Sequence, residues 1–138
     1  MPPAERAPSS SARVVYAGIV ASTLIVTIGA LVVSMSLKSA SGSMGAPDAV
    51  VFLLGLGVFV AGTKIRQRLG ERRGGRSREE WWAANAGRVL LLWGLMELAA
   101  MAGAALLFAT GHLPVFVMLA LAALAGLATS SPGRFAAD

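Results

Sequence analysis

Glu97 is the one ionisable side chain in the apolar stretch formed by residues 89–110, and a carboxyl group so placed has few uses. In hydrocarbon an isolated carboxylate is so costly that the neutral acid is the form to expect, and such a group turns toward a cavity, a partner or an ion path. Glu97 could carry a proton or bind a cation. It could equally be a neutral acid hydrogen-bonded to Ser22, Thr23, Thr27 or a backbone carbonyl, because no basic residue shares its depth. A transport path recruits further polar groups, and the last apolar stretch offers none before Thr129. An imidazole can shuttle protons, but His112 lies about 22 Å of helical rise from Glu97, too far for direct relay. Patterns for catalysis are missing. There is no cysteine and one histidine, and the sequence has no HExxH metal-ligand pair and no Gly-rich phosphate loop. Neither an enzyme, a metal site nor a cofactor is expected.

Basic residues form the other candidate chemistry. Eight of the twelve Lys and Arg residues fall within 64–88, among them Lys64, Arg66, Arg68, Arg72, Arg73 and Arg76. A net charge of +5 is compatible with nucleic acid. These charges flank apolar stretches, however, where anionic lipid headgroups account for them without a further partner. The lipid bilayer is therefore the expected partner, and nucleic acid is not. Trp81 and Trp82 follow the basic run, and indole rings favour the headgroup layer. Together with the cations they are candidate headgroup contacts; packing of both indoles on a helix bundle is the alternative.

Four apolar helices are needed to position these groups. The AVILMFWYC residues make up 56% of the chain and charged residues 14%, against about 25% charge in a soluble domain. A chain of 138 residues this poor in polar groups needs lipid as its solvent. The expected fold class is all-α, a transmembrane four-helix bundle with spans at about 14–37, 48–66, 88–110 and 114–130. Residues 1–12, with three prolines and a run of serines, read as a disordered tail; 13–131 form the membrane domain and 132–138 a C-terminal tail. The first apolar run is 24 residues long, beyond the h-region of a cleaved signal. The second is the shortest, relying on Lys64 and Arg66 to snorkel to an interface. Ser77 and Glu80 fit a capping box that starts a helix at Arg78. The short link Gly111, His112, Leu113 and the following Pro114 make the last two spans an antiparallel hairpin.

Gly18 with Ser22, Ala99 with Gly103, and Ala122 with Gly126 are small residues four apart, the spacing that lets helices pack closely. Gly55, Gly57 and Gly62 read the same way. Gly94, Ala100, Met101 and Ala104 surround Glu97 on its helix, which directs the acid into a helix interface. Placing the basic 64–88 loop in the cytoplasm puts both termini there and leaves only Lys38 of the basic residues outside, as the positive-inside bias demands. His112 and the Ser- and Gly-rich link near Lys38 then face outward.

From Glu97 onward the string E-L-A-A-M-A-G-A-A-L-L-F-A-T-G, a short hairpin, an apolar span and Ser131, Pro132, Gly133, Arg134 resemble four-helix prokaryotic membrane proteins that have no assigned activity. Glu97, Ala100 and Gly103 also look like the ion-binding helix of rotary ATPase proteolipids, which implies a proton-carrying role for Glu97. The long polar loop and the two added spans depart from that family. Small multidrug transporters are similar in having four spans and one membrane Glu, but theirs lies in the first span, where this chain has Ser22 and Thr23. Thr23-Leu24 with Gly29-Ala30 echoes Glu97-Leu98 with Gly103-Ala104, the pattern a duplicated pair of spans would leave.

The sequence thus points to a multi-pass protein of a cell membrane, a bacterial plasma membrane, associating with other membrane subunits or with itself. A non-enzymatic subunit or scaffold of a membrane complex is the leading expectation. A proton-coupled carrier using Glu97 and an anionic-lipid adaptor using the basic loop are the rivals.

Overall fold

A computed structural model describes residues 8–36, 45–69 and 77–135. The expected features at 1–7, at 37–44 with Lys38, at 70–76 with Arg72, Arg73 and Arg76, and at 136–138 lie outside the described residues. Every described element is a helix: α1 (Pro8–Ser36), α2 (Ala46–Leu69), α3 (Arg78–Thr110), α4 (Leu113–Thr129) and the short α5 (Pro132–Phe135). They pack into one bundle.

Local chemistry sets the ends of these helices. Ser77 accepts from the Glu80 amide at 3.2 Å and its own amide donates to the Glu80 carboxyl at 3.1 Å, the capping box the sequence foretold. At the other end of α3, Gly111 adopts φ 69, the left-handed conformation that ends a helix, and its N–H donates to Leu107 O at 2.8 Å. A side chain there would be strained. α4 starts at once with proline in its first turn. The Gly45 amide donates to Asp48 at 2.8 Å and so covers the start of α2.

Three boundaries differ from the sequence reading. α1 takes in residues 8–12 of the expected tail: proline suits a first helical turn, and Ala12 packs against a buried aromatic cluster. α2 continues past Lys64, Arg66 and Arg68 because Leu69 is buried in the same cluster. Residues 132–135 of the expected C-terminal tail form α5, with Pro132 and Phe135 buried.

α3 is the hub. It packs along α1, α2 and α4, while α1 and α2 scarcely touch each other. The α3–α4 hairpin is closely packed and the α1–α2 pair is not, so the internal echo in the sequence does not correspond to two equivalent hairpins. α1, α2 and α3 are long and apolar enough to cross a membrane. α4, with 17 residues, rises about 26 Å.

Glycines decide how close the helices come. A Cβ at Gly55 would lie 3.1 Å from that of Ala102, one at Gly62 would lie 2.6 Å from Met96 Cε, and one at Gly126 would meet the Met96 sulfur. The Met96 thioether is thus lodged between α2 and α4. An added Cβ at Gly103 would lie 3.1 Å from Leu119 Cβ, which sets the hairpin spacing. Gly18 and Gly57 have open space at that position, so neither brings two helices together; within α2 only direction around the helix separates Gly57 from Gly55 and Gly62.

Candidate functional site

Glu97 sits at the α1–α3 seam, half-buried. Ser22 of α1 donates to its Oε1, and Ser22 Oγ also lies 3.1 Å from Ile19 O. A hydroxyl has one proton to give. With Glu97 ionised, Ser22 gives that proton to the carboxylate; with Glu97 neutral, the acid donates to Ser22 and the Ser22 proton turns back to Ile19 O. The Ser22–Glu97 hydrogen bond can thus form with the acid neutral or ionised. Thr23 and Thr27, the other partners the sequence offered, donate instead to Ile19 O at 2.8 Å and Thr23 O at 2.7 Å within their own helix.

Glu97 is flanked differently on its two sides. Met96, next in the chain, is 1% exposed and clamped between Gly62 and Gly126. Gly94, one turn away, has open space around it, and Met101, one turn further on, is 47% exposed. The acid therefore lies on the border between the packed core of α3 and its open face.

That open face is regular. Gly87, Leu91, Gly94, Leu98, Met101, Ala105 and Phe108 are all exposed and alternate by four and three residues. This spacing keeps one stripe of α3 in view between α1 and α2 over about 32 Å.

Above the Glu97–Ser22 pair the seam becomes aromatic. Tyr16 and Trp93 have centroids 5.0 Å apart, Trp82 and Trp93 6.5 Å, Trp81 and Trp82 5.2 Å, and Phe135 stacks on Trp81 at 5.6 Å and 18°. Two hydrogen bonds cross to α4 and its end: Tyr16 Oη donates to Leu127 O at 2.8 Å and Trp93 Nε1 to Ser130 O at 2.9 Å. All three tryptophans and the single tyrosine of the chain belong to this cluster.

The headgroup role expected for Trp81 and Trp82 is corrected here. They are 4% and 3% exposed, because α5 and the end of α2 fold over them. Lys64, Arg66 and Arg68 are exposed. Of the small pairs, Ala99 and Gly103 are buried in the core and Gly126 receives Met96, while Ala122 is half-buried and Gly18 exposed.

Sequence reasoning missed Tyr16, Trp93, Met96 and Phe135. An isolated tyrosine and a tryptophan inside apolar stretches were the available signal, since each brings a polar atom that needs a partner when buried. His112 is an N-terminal flank of α4, its Nδ1 3.2 Å from Thr110 O. Among the described residues no group of three or more metal-ligating side chains converges.

Pairings across helices also fix the level of the charges. Ser22 meets Glu97, so Arg13 stands level with Arg88, each nine residues earlier. Gly62 meets Met96, so Arg68 stands level with residue 90. Arg13, Arg68 and Arg88 are exposed and lie within about 3 Å of one height. Comparison with protein-family models, with curated proteins and with solved structures finds no match, so the likenesses to proteolipids and small transporters rest on the sequence pattern around Glu97 alone.

Proposed function

We propose that this chain is a multi-pass protein of a cell membrane, with both termini cytoplasmic, and that it acts by association as a non-enzymatic subunit or scaffold of a membrane complex. The open stripe of α3 carries this reading. It repeats every seven residues, as helices that pack along one another require, and its two glycines leave room for a backbone to approach.

The orientation rests on Arg13, Lys64, Arg66, Arg68, Arg88 and Arg134, which all belong to the end of the bundle where α1 and α3 begin and α2 and α4 finish. Cations are enriched on the cytoplasmic side. Exposed Lys64, Arg66 and Arg68 suit anionic headgroups there. α4 by itself is short for a ~30 Å hydrocarbon layer, and α5 extends its reach by carrying Arg134 to the charged end.

A second reading is favoured by the Glu97–Ser22 pair, which accommodates the acid with or without its proton. On this reading Glu97 is the proton-carrying group of a coupled carrier.

Extraction of the full chain in a gentle detergent, followed by mass spectrometry and size analysis, tests the first reading. Co-purifying membrane subunits or a defined oligomer are expected, reduced at least tenfold by Gly94→Leu with helicity unchanged. A monodisperse monomer with no companion overturns it. Glu97→Gln in proteoliposomes tests the second, which requires proton-dependent flux in the parent chain and its loss in the variant. Tags at the amino end and at position 70 are expected on the same side of the bilayer, and opposite sides would refute the topology.

A further inference from the structure

Glu97 brings one more oxygen to the α1–α3 seam than the seam uses. Ser22 occupies Oε1. Oε2 has no hydrogen-bond partner among the described residues, and it is not enclosed, because the one enclosed side-chain polar atom without a partner there is Trp82 Nε1. Its direction follows from the neighbours one turn away on α3: Trp93 and Ala100 are 0% and 1% exposed, whereas Gly94 has open space around it and Met101 is exposed. Oε2 therefore opens toward the stripe of α3 that no other described helix covers.

That is a costly place for an acceptor. Glu97 lies about 13 Å along α3 from Arg88, within an apolar span, where hydrocarbon has nothing to hydrogen-bond. Ionised, or neutral with its proton given to Ser22, the acid leaves Oε2 as a bare acceptor that calls for a donor. The chain itself has none to give. Across residues 14–36, 49–63, 89–110 and 113–129 the one side-chain N–H is that of Trp93, which is buried and donates to Ser130 O at 2.9 Å. Ser22, Thr23 and Thr27 direct their protons into the seam or onto α1 itself. A second copy repeats these residues, and in the same orientation it would bring an acid to the acid.

We propose that the open stripe of α3 receives one transmembrane helix of a different protein, apolar except for a side-chain N–H at mid-bilayer depth, cationic or amide, that donates to Glu97 Oε2. Such a partner presupposes that the chain acts by association, and gives that association its chemistry. The length agrees: from Gly87 to Phe108 the stripe runs about 32 Å, as far as a single span of the ~30 Å hydrocarbon layer. Gly94, beside the acid, leaves room for the incoming backbone. Charge agrees as well, since a cation and a carboxylate, each costly alone at this depth, offset one another when paired.

Three synthetic helices of about 20 leucine and alanine residues, alike except for Lys, Gln or Leu at the midpoint, serve as probes; the midpoint meets Glu97 in either orientation. Binding of each to the full chain in lipid vesicles is measured by fluorescence energy transfer. The Lys helix, the Gln helix or both are expected to bind roughly three- to twentyfold more tightly than the Leu helix, the range of one hydrogen bond between helices in a membrane. Glu97→Leu is expected to remove that preference while the Leu helix still binds, and Gly94→Leu to weaken all three. Glu97→Gln, which keeps a carbonyl acceptor in place, is expected to retain a preference and serves should Glu97→Leu fail to fold. Tighter binding of the Lys helix than of the Gln helix assigns a cationic partner and the reverse an amide; both support the site. Equal binding of the three helices to the parent chain, a preference that survives Glu97→Leu, or no binding at all would overturn the proposal. Equal binding would still leave the stripe an association surface, so failure here is distinct from the lone monomer in gentle detergent that overturns association itself.

Discussion

At one end of the bundle the helices are tied together by aromatic rings and by hydrogen bonds that pass from one helix to another; at the opposite end they are held by proximity. Trp93 to Ser130 and Tyr16 to Leu127 join α3 and α1 to the end of α4, and Phe135 closes over Trp81. The other end is a cluster of Ala30, Ala104, Leu107, Phe116 and Ala120. Its hydroxyls turn inward on their own helices, Thr27 to Thr23 O, Ser34 to Leu31 O and Thr110 to Leu106 O. Directional bonds specify one arrangement, whereas small apolar surfaces allow several with similar contact, so the aromatic end fixes the geometry and the far end follows it. Glu97 and Ser22 lie between the two.

Trp93→Ala bears hardest on this contrast, removing a fully buried ring and its bond to Ser130. It is expected to cost about 3–5 kcal/mol in unfolding by heat or denaturing detergent, and a loss below about 1 kcal/mol would break the comparison. Gly126→Val and Gly103→Val sharpen it from either side of the middle. Each is expected to cost about 1–3 kcal/mol by overpacking, the first by displacing Met96 and the second by pushing against Leu119. The Gly126 variant should also lower the near-ultraviolet circular dichroism of the tryptophans, and the Gly103 variant should not.

Phe135→Ala removes one stacked pair, worth about 0.5–1.5 kcal/mol beyond its area, and should make Trp81 more accessible to an aqueous quencher. An unchanged quenching constant would show that α5 contributes nothing to the enclosure. Ser22→Ala has the smallest expected effect, about 0.6 kcal/mol, the mean for a hydrogen bond between helices in a membrane. A double-mutant cycle with Glu97→Gln measures the coupling directly, and zero coupling would dissolve the pair.

Much of the fold was legible because its signals are local. Ser77 with Glu80, Gly111 and Pro114 each mark an end through a backbone requirement that holds whatever surrounds the helix. Glu97 stood out for a similar reason, since a lone acid among apolar residues violates hydropathy wherever it faces. What could not be read was direction. A helix that is apolar on all sides gives no stripe to separate its inner face from its outer one, so Gly57 and Gly62 look alike in sequence although one meets open space and the other meets Met96. Trp81 and Trp82 suit a headgroup layer and a helix core equally well by composition. Their burial depends on Phe135, more than fifty residues later in the chain, and no local pattern carries that pairing.

The hub position of α3 has a consequence for how the chain must be built. Synthesis delivers α1 and α2 first, and these two have almost no surface in common, so each must wait, alone among its surroundings, until the third segment has been made. Assembly then proceeds around a late-arriving axle, with the last helix and its Pro132–Phe135 hook closing the structure. A nascent chain halted before residue 110 should therefore leave its first two segments apart, and the step that unites them should coincide with completion of the third.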